Sequence, residues 1–338
     1  MKIAIQHSDL AFSQKWIEYC RNKSIDYKIV NCYANNIIEQ LKDCDALMWH
    51  HHHAYAKDTL FAKQLLFSLE HAGKKVFPDF RTGWHFDDKV GQKYLLEAIG
   101  APLVPSYIFY SKREALEWAN TTKYPKVFKL RTGAGSYNVF LVKSQRTAKR
   151  MIRRSFSRGF SPYNKWINLK DTYKSYRKGK NPFLDLLKSL RRVVYSTQFA
   201  RIHGNEKGYA YFQDFLPDNT YDIRVVVIGN KAFAIKRIVR KKDFRASGSG
   251  NILHSKDQID ERCVSIAFEV SAKLGAQCLA YDFIFDSKQN PLITEINYGF
   301  DRRGYLDCPG YWDINLEWHE KQFYPEEWMV ETLFFPNK

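Results

Sequence analysis

Cys278-Leu-Ala-Tyr-Asp-Phe-Ile-Phe-Asp286 and Pro291-Leu-Ile-Thr-Glu-Ile-Asn297 are two apolar runs of strand length separated by a short polar stretch, Ser287 to Asn290. Runs bounded in this way fold as a β-hairpin. If the turn holds four residues, Phe285 and Asp286 lead into it and Asp282 falls opposite Glu295. Strand periodicity then puts Asn297 on the same face as Glu295. Three oxygen-bearing side chains converge on one patch, two of them anionic. Hard oxygen donors of this kind suit magnesium when phosphates and waters complete its shell. The competing reading is that the acidic groups simply face water. Their position inside apolar runs argues against it, because two carboxylates brought together there are costly without a cation.

Upstream, Asp222-Ile-Arg-Val-Val-Val-Ile-Gly229-Asn230-Lys-Ala-Phe-Ala-Ile-Lys236-Arg237 reads as an antiparallel hairpin turned at Gly229-Asn230. A loop rich in glycine and serine, from Asp243 through Arg245 to Asn251, follows it. A helix is expected from about 259 to 274, with Cys263, Val264, Ala267, Val270 and Leu274 on one face and Gly275 closing it.

Towards the N-terminus, KIAIQ, YKIVNCY, DALMWH and KKVFP alternate with helical patterns near 10–23, 35–43 and 57–71, which predicts an α/β layer with a parallel sheet. No glycine fingerprint follows the first strand, which weighs against a dinucleotide site. The tetrad His50, His51, His52 and His53 follows the third strand, at the edge where parallel sheets deliver ligand-facing loops. It reads as a polar loop or as a binder of an anionic substrate or a metal. Next, Val90, Tyr94, Leu95, Ala98 and Ile99 predict the apolar stripe of a helix that Asp87 or Asp88 caps and Gly100 ends. Lys89 falls in its first turn, where the helix dipole disfavours a cation unless an anion receives it. The strands KVFKLR and YNVFLV flank Thr132 to Ser136, a tip of small residues whose backbone N–H groups can face phosphate.

The 338-residue chain, 45% hydrophobic and 16% aromatic, can bury two or three cores, which excludes global disorder. Six cysteines without a CxxC pair exclude a zinc framework, and reduced thiols in a cytoplasmic protein are expected, without leader or membrane span. Net charge is +17, and it is concentrated: 146–207 holds seventeen Lys and Arg against Asp171, Asp185 and Glu206. That insert reads as a solvated decoration, as a face for anionic membrane or a phosphate-rich glycan carrier, or as a nucleic-acid patch. The last is disfavoured, since no nucleic-acid motif accompanies the charge.

Taken together, Lys89, Lys129 with its TGAGS loop, FQDFLP, DIRVVVIGN, KR, DFRASGSGN, YDFIFD and EIN resemble the ATP-grasp superfamily, in the branch of ribosomal-protein glutamate ligase and glutathione synthetase. The resemblance implies an α+β and α/β architecture: an N-terminal α/β lobe over 1–85, a central lobe over 86–212 containing the insert, and a C-terminal lobe over 213–338, with ATP sandwiched between the last two. It implies phosphate contacts from Lys89, Lys129, Gly133, Gly135, Ser136 and Lys236, and an adenine-reading hinge at Gln213, Asp214, Phe215 and Leu216. It places Asp222 near the ribose, Arg237 and Arg245 at the transferred phosphoryl group, and magnesium, or manganese in its stead, on Asp282, Glu295 and Asn297. The implied activity is an ATP-dependent ligase joining a carboxylate to an amine or thiol through an acyl phosphate, with small or glycan-linked substrates of surface-polysaccharide assembly and a cytoplasmic location reaching to the inner membrane face. A small-molecule kinase and a non-catalytic basic nucleotide-binding protein are the rivals. The aromatic tail Tyr298 to Tyr305 and the CPGYWD segment depart from the family pattern.

Overall fold

The computed structural model describes residues 1–8, 12–53, 55–133, 138–161, 204–239 and 250–334, with 172–173, 176, 182, 184–185 and 187. The N-terminal stretch forms strands β1 (Ile3–Gln6), β2 (Tyr27–Val30), β3 (Ala46–Met48) and β4 (Lys75–Phe77), alternating with helices α1 (Ser13–Asn22), α2 (Ile37–Gln40) and α3 (Ala56–His71). All pairings are parallel, in the order β2-β1-β3-β4, as the alternation of apolar runs and helical patterns requires. A one-turn helix α4 (Phe80–Gly83) is capped by Asp79, whose carboxylate accepts from Thr82 N. Helix α5 (Lys89–Ala98) follows.

A four-stranded antiparallel sheet comes next, built from β5 (Ser106–Phe109), β6 (Lys126–Lys129), β7 (Val139–Val142) and β8 (Ala210–Asp214) in the order β5-β8-β6-β7. Its apolar face, with Phe128 and Phe212 fully buried, packs on Ala115 and Ala119 of α6 (Lys112–Thr121) and Ala148 and Ile152 of α7 (Gln145–Ser155). Both helices start on a serine, Ser111 and Ser144, whose hydroxyl accepts a backbone N–H three residues on.

The largest sheet contains β9 (Tyr221–Ile228), β10 (Lys231–Ile238), β11 (Ile252–Leu253), β12 (Cys278–Phe285), β13 (Pro291–Asn297), β14 (Tyr311–Asp313) and β15 (Trp318–His319), ordered β13-β12-β9-β10-β14-β15 with β11 on β10. Its two faces have different fates. Ile223, Val225, Val227, Leu279, Tyr281, Phe283 and Ile296 form a core with helix α8 (Glu261–Leu274). Gly275, at φ +62°, ends α8 in the left-handed conformation that glycine adopts without a Cβ penalty. On the other face, Val226, Phe233, Ile235 and Ala280 share a core with Ile3, Ile5, Trp16 and Phe77 of the N-terminal layer and with Trp328 of α9 (Pro325–Glu331).

Packing therefore divides the chain into two compact units. One comprises Met1–Phe86, Tyr94–Leu103 and Asp218–Lys338; the other comprises Asp87–Lys93 and Val104–Pro217. Helix α5 corrects the expected stripe: Tyr94 and Ala98 are exposed, and Leu96 is fully buried instead. Val90, Leu95 and Ile99 are half-buried, so the inward stripe is rotated towards Gln92, Lys93 and Leu96. All six cysteines are free and buried. Among the described residues no helix is long and apolar enough to cross a membrane. Most of the basic insert lies outside the described residues. Its first helix, α7, buries Ala148 and Ile152 and leaves Arg146, Arg150, Arg153 and Arg154 exposed.

Candidate active site

Register aligns the chemistry on one face of the large sheet. Glu295 of β13 stands opposite Asp282 of β12, and Asp282 stands opposite Arg224 of β9. Two residues along β9, Asp222 faces Arg237 of β10. Asn297 pairs with Ala280, two residues from Asp282, and so shares the face. The turn before β13 differs from the expected one. Phe285 pairs with Pro291, leaving five residues in the connection, and a bulge between Asp282 and Phe283 restores the Asp282–Glu295 pairing.

The cation that two carboxylates on apolar strands require is, in part, built into the protein. Arg224 Nε lies 2.7 Å and Arg237 Nη2 3.0 Å from Asp282 Oδ1. Neither contact has the alignment of a hydrogen bond, so both are coulombic. Arg237 also grips Asp222 in a fork, with Nε to Oδ1 and Nη2 to Oδ2 both at 2.7 Å. Burial pushes the Asp282 carboxyl up, but Arg224 and Arg237 outweigh it and hold the group below the usual range. For Asp222 burial prevails and the direction is upward in spite of Arg237. Both arginines remain firmly protonated because Asp282 faces them, which more than offsets their desolvation.

Two carboxylates and an amide oxygen on one face, those of Asp282, Glu295 and Asn297, fit a hard divalent cation that shares its remaining positions with phosphate and water. Asn297 Oδ1 accepts from Gly299 N at 2.8 Å, which orients the amide. Lys236, on the opposite side of β10 from Arg237, lies 3.8 Å from the centre of the Tyr221 ring.

In the second unit, Lys129, Val127, Tyr211 and Gln213 share the face of the four-stranded sheet turned away from its helices. Lys129 is 6% and Gln213 3% exposed. Gln213 Nε2 donates to Ser106 Oγ at 3.0 Å. Asp214 pairs with Lys126 at 2.5 Å, and Phe215 and Leu216 are half-buried. Lys89 is the first residue of α5, where the carboxylate of Asp88 accepts from Val90 N and Gly91 N. Its Nζ donates to Gly133 O at 2.6 Å, while Gly133 N donates to Asp87 Oδ1 at 2.7 Å. The start of the loop is thus tied to the start of the helix. Gly135, Ser136 and Arg245 lie outside the described residues.

The histidine tetrad is not a polar surface loop: His50 is 8% and His51 2% exposed. His52 N donates to Asp58 Oδ2 at 2.7 Å, and Tyr298 Oη donates to His51 O at 2.5 Å, joining the segment after β13 to the segment after β3. Burial, aided by His52 and His53, pushes His50 down to about 3, and burial drives His51 well below its ordinary range. The CPGYWD segment is structural. Trp312 is buried, and β14 pairs at Lys231 and Ala232, the end of β10 remote from Arg237. Asp313, Glu317 and His319 cluster there, with Asp313 accepting from His319 Nε2 and from Asn315 N and Glu317 N.

Arg224 is the site residue that sequence reasoning missed. Its signal was a cation inside an apolar run, two residues from Asp222.

The chain has the ATP-grasp fold. The chain superimposes with a TM-score of 0.60 on the biotin carboxylase domain of Hydrogenobacter thermophilus 2-oxoglutarate carboxylase in complex with MgADP, ADP and bicarbonate, at 12% identity over 98% of this chain and 69% of that one. It superimposes at 0.58 on D-cycloserine synthetase DcsG, at 12% identity over 99% of each chain. Residues 199–306 match the RimK-like ATP-grasp domain. In sequence, the chain is similar to the α-aminoadipate–LysW ligases LysX of Saccharolobus solfataricus, 23% identical over 232 residues and 68% of each chain, and of Sulfurisphaera tokodaii, 23% over 267 residues, 78% of this chain and 76% of the other. The comparisons therefore show an ATP-grasp fold, with the RimK-like match confined to residues 199–306.

Two predictions follow from the charges. Arg224→Met leaves Asp282 buried with one counter-charge fewer and should cost about 3 kcal/mol in urea unfolding; adding Asp282→Leu should recover much of it. A loss confined to the range of surface variants would contradict the pairing. His85 is buried, and burial, reinforced by Lys63, holds it down to about 4 against an ordinary 6.5. Between those values the unfolded chain binds a proton that the folded chain does not, so stability falls as pH falls, by ~1.4 kcal/mol per pH unit from this group. Urea midpoints measured from pH 7 to 5 should show a shallower decline for His85→Gln than for the wild type.

Proposed function

We propose that the protein is an ATP- and magnesium-dependent ligase that joins a carboxylate to an amine or a thiol through an acyl phosphate. The observation that carries this reading is the cross-strand row Glu295–Asp282–Arg224, with Asn297 on the same face and Arg237 held beside it. The similarity to enzymes named as ligases supports it. Lys89 and Lys129 act on the nucleotide phosphates, Gln213 to Leu216 read the base, and Asp282, Glu295 and Asn297 hold the metal.

A carboxylate is a poor acyl donor because its oxide leaving group is strongly basic. In the first step a carboxylate oxygen attacks the γ-phosphorus of ATP, the bond to the β-phosphate oxygen breaks, and ADP leaves. In the second the amine nitrogen attacks the acyl carbon, the carbon–oxygen bond to phosphate breaks, phosphate departs, and the nitrogen loses its proton. Bound magnesium supplies neutralisation of charge on the phosphates. Arg237, with Nε and Nη2 committed to Asp222, keeps Nη1 available for anionic oxygen. Its pairing costs no reorganisation at the moment of reaction, which is the condition for electrostatic stabilisation of developing charge. Arg245 adds a second cation on this reading.

A glycan-linked carboxylate of surface-polysaccharide assembly is the substrate class to test first, with the basic segment 146–207 meeting an anionic membrane or a phosphate-rich carrier. The assay is ADP release across a panel of carboxylic acids, uronic acids included, with candidate amines and thiols, followed by phosphorus NMR of the isolated product. A ligase releases phosphate; phosphate retained on the product identifies a kinase instead. Glu295→Ala should lower turnover by at least about 100-fold. Nucleotide binding without ADP release under any pairing would favour the non-catalytic reading.

A further inference from the structure

The histidine loop after β3 is held as a built element, and among the described residues one of its donors has no hydrogen-bond partner. Phe12 stacks on His50 with ring centres 4.0 Å apart, and Phe300 packs on Phe12 at 5.0 Å. Phe12 N lies 3.4 Å from His50 Nδ1. A backbone N–H can only donate, so Nδ1 accepts and the neutral ring carries its proton on Nε2. His50 Nε2 has no hydrogen-bond partner among the described residues, although the residue is only 8% exposed. It faces Gly299: a Cβ placed there would lie 3.4 Å from Nε2 and 3.6 Å from Asn297 Oδ1. Glycine thus keeps open a space bordered by an N–H with no partner among the described residues, by the Phe86 ring and by the amide proposed to hold the metal. His51 Nε2 is also buried without a hydrogen-bond partner among the described residues, a second sign of spare polar capacity at this loop.

We propose that His50 binds the substrate carboxylate, donating its Nε2–H to a carboxylate oxygen in a subsite beside Asn297 and Gly299. The proposal rests on the ligase reading for what happens to that carboxylate, and on geometry alone for the subsite. The chemistry selects the ligand. An uncharged N–H walled by Phe12 and Tyr298 offers no fixed cation for a phosphate dianion, whereas a single oxygen of a carboxylate needs one donor whose hydrogen bond strengthens as solvent is excluded. The tautomer also sets the role. With its proton on Nε2, His50 cannot take the proton released by the amine at that atom, so it positions the carboxylate and is not the general base.

The test is long-range proton–nitrogen NMR on the full chain labelled at histidine, with acetate as the probe, in the presence and absence of MgADP. His50 should show the Nε2–H tautomer, and acetate should shift its Nε2 resonance saturably. Gly299→Ala, which fills the space, should weaken the acetate response by about 10- to 100-fold, the loss of one hydrogen bond to a charged group. An Nδ1–H tautomer, or no acetate response in the wild type, overturns the proposal whether or not the variant folds. Inorganic phosphate shifting Nε2 as strongly as acetate overturns the carboxylate assignment. MgADP binding, followed separately by calorimetry, distinguishes the two readings: binding without an acetate response removes the subsite alone, and an acetate response without MgADP binding removes the nucleotide reading alone.

Discussion

Two guanidinium groups converging on one oxygen of Asp282 organise this molecule. Neither carboxylate nor arginine would be tolerated alone on a half-buried sheet face, because an unpaired ion there carries several kcal/mol of desolvation. Together Arg224, Arg237, Asp222 and Asp282 cancel, and their mutual neutralisation lets the sheet remain a core element while bearing charge. Glu295 sits one strand out from Asp282, so the row of charged residues continues onto β13 at its edge. That sequence, from a fixed ion network to a further carboxylate beside an oriented amide, separates a metal-binding edge from an ordinary surface row.

The large sheet can carry this row because its neighbours divide the burial. Helix α8 packs on the apolar residues of one face, while on the other the N-terminal layer packs against Val226, Phe233, Ile235 and Ala280 and leaves the ends of β9, β10, β12 and β13 for polar residues. The same packing brings the turn after β13 against the loop after β3. Tyr298 reaches the His51 carbonyl, and Phe300 reaches Phe12. The aromatic tail that departs from the family pattern is thus the fastening between the two loops.

Much of this was legible in the sequence, and the failures have identifiable causes. Strand and helix placement followed from periodicity, since the parallel layer and both hairpins are built from local patterns. The opposition of Asp282 and Glu295 was read correctly for an incomplete reason: the turn is one residue longer than assumed, and a bulge, which leaves no mark in an apolar run, takes up the difference. Arg224 was passed over because its meaning depends on β12 pairing with β9 across more than fifty residues of chain, a non-local fact. The burial of His50 and His51 went unread for the same reason, since Phe12, Tyr298 and Phe300 that pack around them come from both ends of the sequence. Tyr94 misled because an amphipathic ring satisfies a helical stripe equally well with its face inward or its hydroxyl in water.

The central claim is that Glu295 and Asn297 hold a divalent cation in company with a nucleotide. Electron paramagnetic resonance of Mn²⁺ titrated into the chain with ADP measures this directly. The account predicts a bound-metal signal in the wild type, with Glu295→Gln and Asn297→Ala each weakening metal affinity by about tenfold or more while circular dichroism stays unchanged. Equal Mn²⁺ affinity in all three proteins would contradict it.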